Sequence, residues 1–181
     1  MFLEKNIWFL EKMEKYLKIK EFCGYFVSCG EPRNMEEFKQ EFLIRGTLEN
    51  KEWTQLPDGK VHGVHICYSE NGKIVSLWKD GKRHGETLEY ECDKLVSRSL
   101  WENGEIKEKQ KFDGSFVSWK AEYKDRKLHG LERSWIEGRL YTETDWFEGR
   151  MNGQQKTYDR YGRLCSISYW ENNIPTKVEV T

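Results

Sequence analysis

The chain has 181 residues, with 30 Lys/Arg against 31 Asp/Glu and a formal charge of −1, evenly spread, so it lacks the cationic excess that phosphate-rich partners select. A hydrophobic fraction of 37% and a mean hydropathy of −0.88 are low for a folded domain, yet 14% aromatic residues argue against disorder and for a thin structure covered by flat rings. Nucleic acid is therefore not an expected partner, membrane binding gains no electrostatic support, and no apolar run is long enough to span a bilayer.

Residues 1–20 read as a helix. Leu3, Ile7, Leu10 and Leu17 recur at helical spacing, and Trp8, Phe9, Met13 and Tyr16 widen the stripe. Glu11–Lys15 and Glu14–Lys18 are favourable pairs four residues apart. The first residues carry Glu4 and Lys5 where a secretory leader needs a basic and then an apolar stretch, so an unsecreted, cytoplasmic protein is expected. This helix is expected either to cap the C-terminal array or to dock on a protein, with Trp8 and Phe9 as its contacts. Cys23-Gly24-Tyr25 through Gly30-Glu31-Pro32 is a turn-rich connector, and Asn34 with Glu37 forms a capping-box pattern for a short helix over residues 35–42. Phe42–Arg45 and Glu52–Leu56 look like strands, which leaves residues 38–45 open between helix and strand. The expected organisation is an N-terminal helical segment over residues 1–45 and a β array over 46–181.

The array repeats every 22 to 24 residues. Its first turn is Asp58-Gly59-Lys60-Val61-His62-Gly63, then Asp80-Gly81-Lys82-Arg83-His84-Gly85, Asn103-Gly104, Asp125-Arg126-Lys127-Leu128-His129-Gly130 and Glu148-Gly149-Arg150-Met151-Asn152-Gly153. A second turn falls mid-unit at Asn71-Gly72, Asp113-Gly114, Glu137-Gly138 and Tyr161-Gly162, with Asp93-Lys94 as the copy without glycine. Asn-Gly and Asp-Gly favour tight hairpins, and turns this close exclude ordinary helices. Two aromatic columns cross the array: Trp78, Trp101, Tyr123, Trp146 and Trp170, and Tyr68, Tyr90, Phe112, Trp135 and Tyr158. Equivalent positions in consecutive hairpins lie roughly 10 Å apart. The columns are expected to form the repeat core, with Ile66, Ile74, Leu88 and Leu100 filling between rings; exposed binding anchors are the alternative. Gly63, Gly85, Gly130 and Gly153 are expected to mark bends or close backbone approach. At the far end, Lys177-Val178-Glu179-Val180-Thr181 alternates as a strand, either the last rung or an edge another chain extends through Val178 and Val180.

Reactive chemistry is sparse. Cys23, Cys29, Cys67, Cys92 and Cys165 are odd in number and lack a C-x-x-C pair, so reduced thiols are expected and a disulfide framework or zinc site is not. His62, His84 and His129 hold one repeat position, with His65 nearby, but a spacing of roughly 10 Å between copies forbids a shared metal ion. Cys67 and His65 share a strand face without a third group. No nucleophile elbow, zincin, Walker or dinucleotide motif occurs, so no catalytic, metal or cofactor residues are assigned and an enzyme is not expected.

D-G-K-x-H-G followed by an aromatic, N-G and W-x-x-G resembles the MORN repeat family, in its variant form, over about 120 of the 181 residues. The third unit departs at Lys107-Glu108, the fourth at Arg126, and Asn172-Asn173-Ile174-Pro175 reads as a terminating copy. The resemblance implies an elongated single-layer antiparallel sheet of successive hairpins that serves protein contact and self-association. It further implies a non-catalytic scaffold, of the kind common in large DNA viruses of amoebae and there a virion component. An antitoxin-like inhibitory module is the runner-up, and a peripheral lipid-binding module a third reading.

Overall fold

The computed structural model describes residues 43–181, so the helices expected over residues 1–20 and 35–42, with Trp8 and Phe9, lie outside the described residues. Thirteen strands follow one another: β1 (Ile44–Leu48), β2 (Lys51–Gln55), β3 (Val61–Ser69), β4 (Gly72–Lys79), β5 (Lys82–Glu91), β6 (Lys94–Glu102), β7 (Glu105–Asp113), β8 (Phe116–Lys124), β9 (Lys127–Ile136), β10 (Arg139–Phe147), β11 (Arg150–Tyr158), β12 (Leu164–Glu171) and β13 (Ile174–Val180). Each pairs antiparallel with the next, so sequence order is spatial order in one open sheet. Ile44 and Arg45, assigned from sequence to the N-terminal segment, already belong to the first strand, and the strands expected at 42–45 and 52–56 run from 44 to 48 and from 51 to 55.

The turn chemistry explains the hairpins. Asp80-Gly81, Asn103-Gly104, Asp125-Arg126, Glu137-Gly138, Glu148-Gly149 and Asn172-Asn173 all place two successive residues at positive φ, the conformation a two-residue loop needs to follow strand twist. The copy without glycine turns at Cys92-Asp93 (φ 47° and 61°), one residue earlier than expected. Gly72 corrects a second expectation. It opens β4, and the loop is Glu70-Asn71. A Cβ at Gly72 would run into the carbonyl oxygen of Tyr90, so glycine is there for close backbone approach. Gly114 is the first central residue of its turn, with Ser115 second, because Asp113 pairs with Phe116. Gly59 and Gly162 close longer loops of one design: Gly59 donates to Leu56 O and Gly162 to Asp159 O, both at 2.9 Å.

A repeated bulge is the unit's second device. Between Trp53↔His65 and Gln55↔Val61, Thr54 alone faces His62-Gly63-Val64. Leu77 faces His84-Gly85-Glu86, Glu122 faces His129-Gly130-Leu131, and Asp145 faces Asn152-Gly153-Gln154 in the same way. Three residues against one bends the strand and leaves amides outside the ladder. In two units the opposing side chain takes one up: Glu122 Oε2 accepts from Leu131 N at 3.3 Å and Asp145 Oδ2 from Gln154 N at 2.8 Å; Thr54 instead donates its hydroxyl to the bulge carbonyl of His62. The bulge glycine has φ +89° at Gly63 and +121° at Gly153, and the opposing side chain fills the space a Cβ would need, with Thr54 Oγ1 2.6 Å from it at Gly63. The third unit, which lacks His-Gly, has a smaller bulge of one extra residue, Lys107, and the last unit has one at Thr176.

Candidate contact surfaces

Register divides the side chains between two faces, because residues directly opposite in a sheet share a face and neighbours in sequence do not. One face carries Trp78, Trp101, Tyr123, Trp146 and Trp170. Trp78, Trp101, Trp146 and Trp170 each lie opposite a bulge glycine on the preceding strand: Gly63, Gly85, Gly130 and Gly153. On the following strands the five rings lie opposite Arg83, Ile106, Leu128, Met151 and Pro175. These residues stand at the x of D-G-K-x-H-G; the first four lie between successive rings, and Pro175 is exposed beyond the last. The guanidinium of Arg83 sits 5.7 Å from the Trp78 ring and 5.0 Å from that of Trp101. The expected fillers lie elsewhere. Ile66, Leu88 and Leu100 are on the opposite face, and Ile74 is exposed.

The rings of both columns are half-buried, except Tyr68, which is exposed. The most buried positions belong to small residues: Ser76, Thr87, Ser97, Ser99, Ala121 and Thr144, all on the face of the first column. Ser76, Ser99, Ala121, Thr144 and Ser168 each stand two residues before a column ring, so small-x-aromatic recurs in every second strand. Trp78 shows the geometry, donating its indole N–H to Ser76 Oγ at 2.9 Å. Trp119 and Trp146 both donate to Glu132, at 2.6 Å each.

The second column, Tyr68, Tyr90, Phe112, Trp135 and Tyr158, lies on the other face. A continuous row of directly opposed residues crosses that face: Ile66, Val75, Leu88, Arg98, Gln110, Lys120, Arg133, Glu143, Lys156 and Ile167. It is aliphatic at its ends and charged through its middle. Diagonal and direct ion pairs knit the charged part, with Lys120–Glu108 and Arg133–Glu143 both at 2.7 Å and Arg98 bonded to Glu86. The guanidinium of Arg133, and then the Tyr158 hydroxyl donating at 2.7 Å, hold the Glu143 carboxyl below its ordinary range. Burial, then the bond to Glu52, pushes the Tyr68 phenol up to about 12. Burial likewise raises Tyr90, Tyr123 and Tyr158.

The repeated histidine has a local job. Asp80 N donates to His62 Nδ1 at 3.4 Å, Asn103 N to His84 Nδ1 at 3.3 Å, and Asn172 N to Asn152 Oδ1 at 3.4 Å. At these three copies the side chain thus receives the first amide of the next hairpin's turn, with Asn in place of His as acceptor, whereas the ring of His129 packs 5.1 Å from that of Phe147. The second turn residue is tied by main chain, as in Gly81 N to Val61 O and Gly104 N to Arg83 O, both 2.8 Å, and Asn173 adds its Oδ1, which accepts from Met151 N at 2.7 Å. His65 and Cys67 approach to 3.6 Å (Nδ1 to Sγ), and burial, then Lys51 and Arg83, lower the imidazole's pKa. Among the described residues no three His, Cys, Asp or Glu side chains converge as metal ligands.

Besides Ile44 and Leu48 on β1 and the single residues Tyr68, Ile74 and Phe147, exposed apolar side chains gather at two places. Along one row of turns stand Phe116, Ile136, Tyr141 and Tyr161. Phe116 and Ile136 line a shallow groove of about 220 Å³ with Trp135 and Gly138. Arg160 and Arg163 lie 4.8 and 5.1 Å from the Tyr161 ring centre. The second place is β13, where Ile174, Val178 and Val180 are exposed. Among the described residues no strand covers the outer edge of β13, and no helix is long and apolar enough to cross a membrane.

No known family profile matches the chain, and no characterised protein does. Among solved structures, that of TarM shares 12% identity at a TM-score of 0.41, covering 73% of this chain and 30% of that one. A point mutant of S. aureus TarM in complex with fondaparinux, alpha-GlcNAc-glycerol and UDP shares 11% at the same score and coverage. The chain spans less than a third of those proteins, and a likeness at that score carries no argument for a shared activity.

Proposed function

We propose that the chain is a non-catalytic contact scaffold built of MORN-like repeats, which holds protein partners or further copies of itself along its sheet faces and outer strand. In its most specific form it is a structural component of a virus particle. The observation that carries this reading is the recurrence of one rung design. Ring, small residue, bulge and turn acceptor return in successive hairpins, while the side chains on the opposite face and the exposed turns vary from rung to rung. A surface that keeps its support constant and changes its display is suited to recognition by contact. The turn-row residues Phe116, Ile136 and Tyr161, the half-buried rings and the β13 valines are the anchors such contact would use.

The test is site-specific photo-crosslinking in the native cell or particle. A photoreactive residue at Ile136 or Val178 is expected to trap a protein in adducts of defined mass, and one at exposed Lys79 to trap none. Lipid or nucleic-acid adducts, or equal labelling at all three positions, would overturn the reading. So would turnover of a small substrate by the purified chain.

A further inference from the structure

We propose that β13 pairs with β13 of a second copy about a two-fold axis at Val178, joining two sheets into one. The inference rests on the contact-scaffold reading and gives that scaffold its partner. Its starting point is the parity of the β12–β13 ladder. Thr181 donates its N–H to Cys165 O at 3.0 Å, and pairs in an antiparallel ladder alternate between bonded and non-bonded. Glu179 with Ile167 and Lys177 with Tyr169 are therefore bonded pairs, whereas Val178 and Val180 turn their N–H and C=O away from β12. Both valines are exposed, at 61% and 84%.

Outward groups can meet only outward groups, so a second β13 must set even-numbered residues against even-numbered ones. On the C-terminal side of the bulge at Thr176, three two-fold registers near the strand centre satisfy this. Centred on residue 177 the pairing opposes Lys177 to its own copy, and centred on 179 it opposes Glu179 to its own copy; like charges directly opposed destabilise a sheet. Centred on Val178, it places Lys177 opposite Glu179 in both directions and stacks Val178 on Val178. Within one chain Lys177 Nζ already lies 2.5 Å from Glu179, which raises the pKa of the one and lowers that of the other, so both are charged across the neutral range. Val178 is in register with Ser168 and Val180 with Ser166, so the valines continue the face that carries the first column of rings. Pro175, with no N–H to give, limits the pairing at the other end of the strand. A two-fold contact uses the same surface twice and closes at the dimer.

Sedimentation equilibrium of the full chain is expected to give twice the monomer mass. V178P removes the outward amide at the axis and leaves the bonded pairs to β12, so it is expected to be monomeric, with an unfolding midpoint equal to that of the dissociated wild type and, unlike the wild type's, independent of protein concentration. K177E and E179K are each expected to be monomeric, since each opposes like charges. Mixed in equal amounts they are expected to restore the dimer, and loss of the dimer in both single variants marks this register, because a contact centred on 177 would be indifferent to E179K and one centred on 179 to K177E. A monomeric wild type, assemblies that keep growing with concentration, or folded charge variants that fail to rescue each other would overturn the proposal. If self-pairing failed while Ile136 still trapped a protein, the contact-scaffold reading would stand without it.

Discussion

Gly153→Ala asks whether the second glycine of the repeat is a bulge residue or merely part of a turn. Gly153 has φ +121°, and a Cβ there would stand 2.7 Å from Asp145 Oδ2, 2.8 Å from Asp145 Cβ and 3.2 Å from its Cγ. Rotating the carboxylate relieves the first contact. It does not relieve the second, because the β10 backbone fixes that Cβ. Forcing an L-residue to this φ costs on the order of 1–3 kcal/mol. Displacing Asp145 also strands the Gln154 N–H that it accepts at 2.8 Å, at about 1–3 kcal/mol. The central value is about 4 kcal/mol, which for a sheet of this size lowers Tm by about 10 °C. Gly162→Ala is the matched control. Its φ of +78° is also positive, but no atom lies within 4 Å of the added Cβ. Only the backbone penalty of about 1 kcal/mol applies, or about 2–4 °C. Thermal unfolding by circular dichroism with parallel urea titrations compares the two. Equal losses, or a Gly153→Ala loss below about half a kcal/mol, would refute the bulge account.

Trp101→Ala is expected to cost about 2–4 kcal/mol, less than a fully enclosed Trp because the ring is half-buried. Trp101→Phe should stay within about 1 kcal/mol of wild type in a urea titration, since losing a buried indole N–H that has no partner offsets lost area. In alkali, Tyr68, Tyr90, Tyr123 and Tyr158 hold their protons longer in the fold than in the open chain. Their contribution is full below about pH 10 and falls as pH rises toward the Tyr68 value of about 12; Tyr68→Phe is expected to make the urea midpoint less sensitive to pH across that window. In acid the sign reverses for Glu143: its contribution is present above the ordinary value of 4.5 and is lost as pH falls through its lower folded pKa. Glu143→Gln should remove that part of the slope in a series of urea titrations.

The hairpins were legible because Asp-Gly and Asn-Gly name their own conformation. The turn at Asn71-Gly72 misleads because the same dipeptide also fits a place where backbone comes close, here the Tyr90 carbonyl, and that partner is distant in sequence. Intervals of 22 to 24 located both aromatic columns but could not say that they lie on opposite faces, since each column keeps the same period. The fillers Arg83, Ile106, Leu128 and Met151 stand opposite their rings next to the turn, before the bulge, and were missed for a related reason: the aromatic interval carries no information about cross-strand pairing. One usable signal was present. A small residue two before each ring, at Ser76, Ser99, Ala121, Thr144 and Ser168, points to the same face and marks it as the close-packed one.

The third and last repeats show why imperfect copies do not interrupt the sheet. Lys107-Glu108 stand where four other units have His-Gly or Asn-Gly, and the consequence is a one-residue bulge in place of the larger one; Trp101 still meets Ile106 directly, and β7 continues its pairing to β8. Asn172-Asn173 has no glycine, yet both residues take positive φ and Asn173 N still reaches Met151 O at 3.0 Å. Contacts run mainly between adjacent strands and from each turn to the hairpin before it, so a departure is absorbed where it occurs. Rungs are held from one face by ring, small residue and bulge, and from the edge by the turn acceptor. That leaves the charged row from Arg98 to Lys156 and the turn residues Phe116, Ile136 and Tyr161 under weaker structural constraint. Among the described residues no further rung supports the outer strand, and its valines and alternating charges suit the pairing proposed for it.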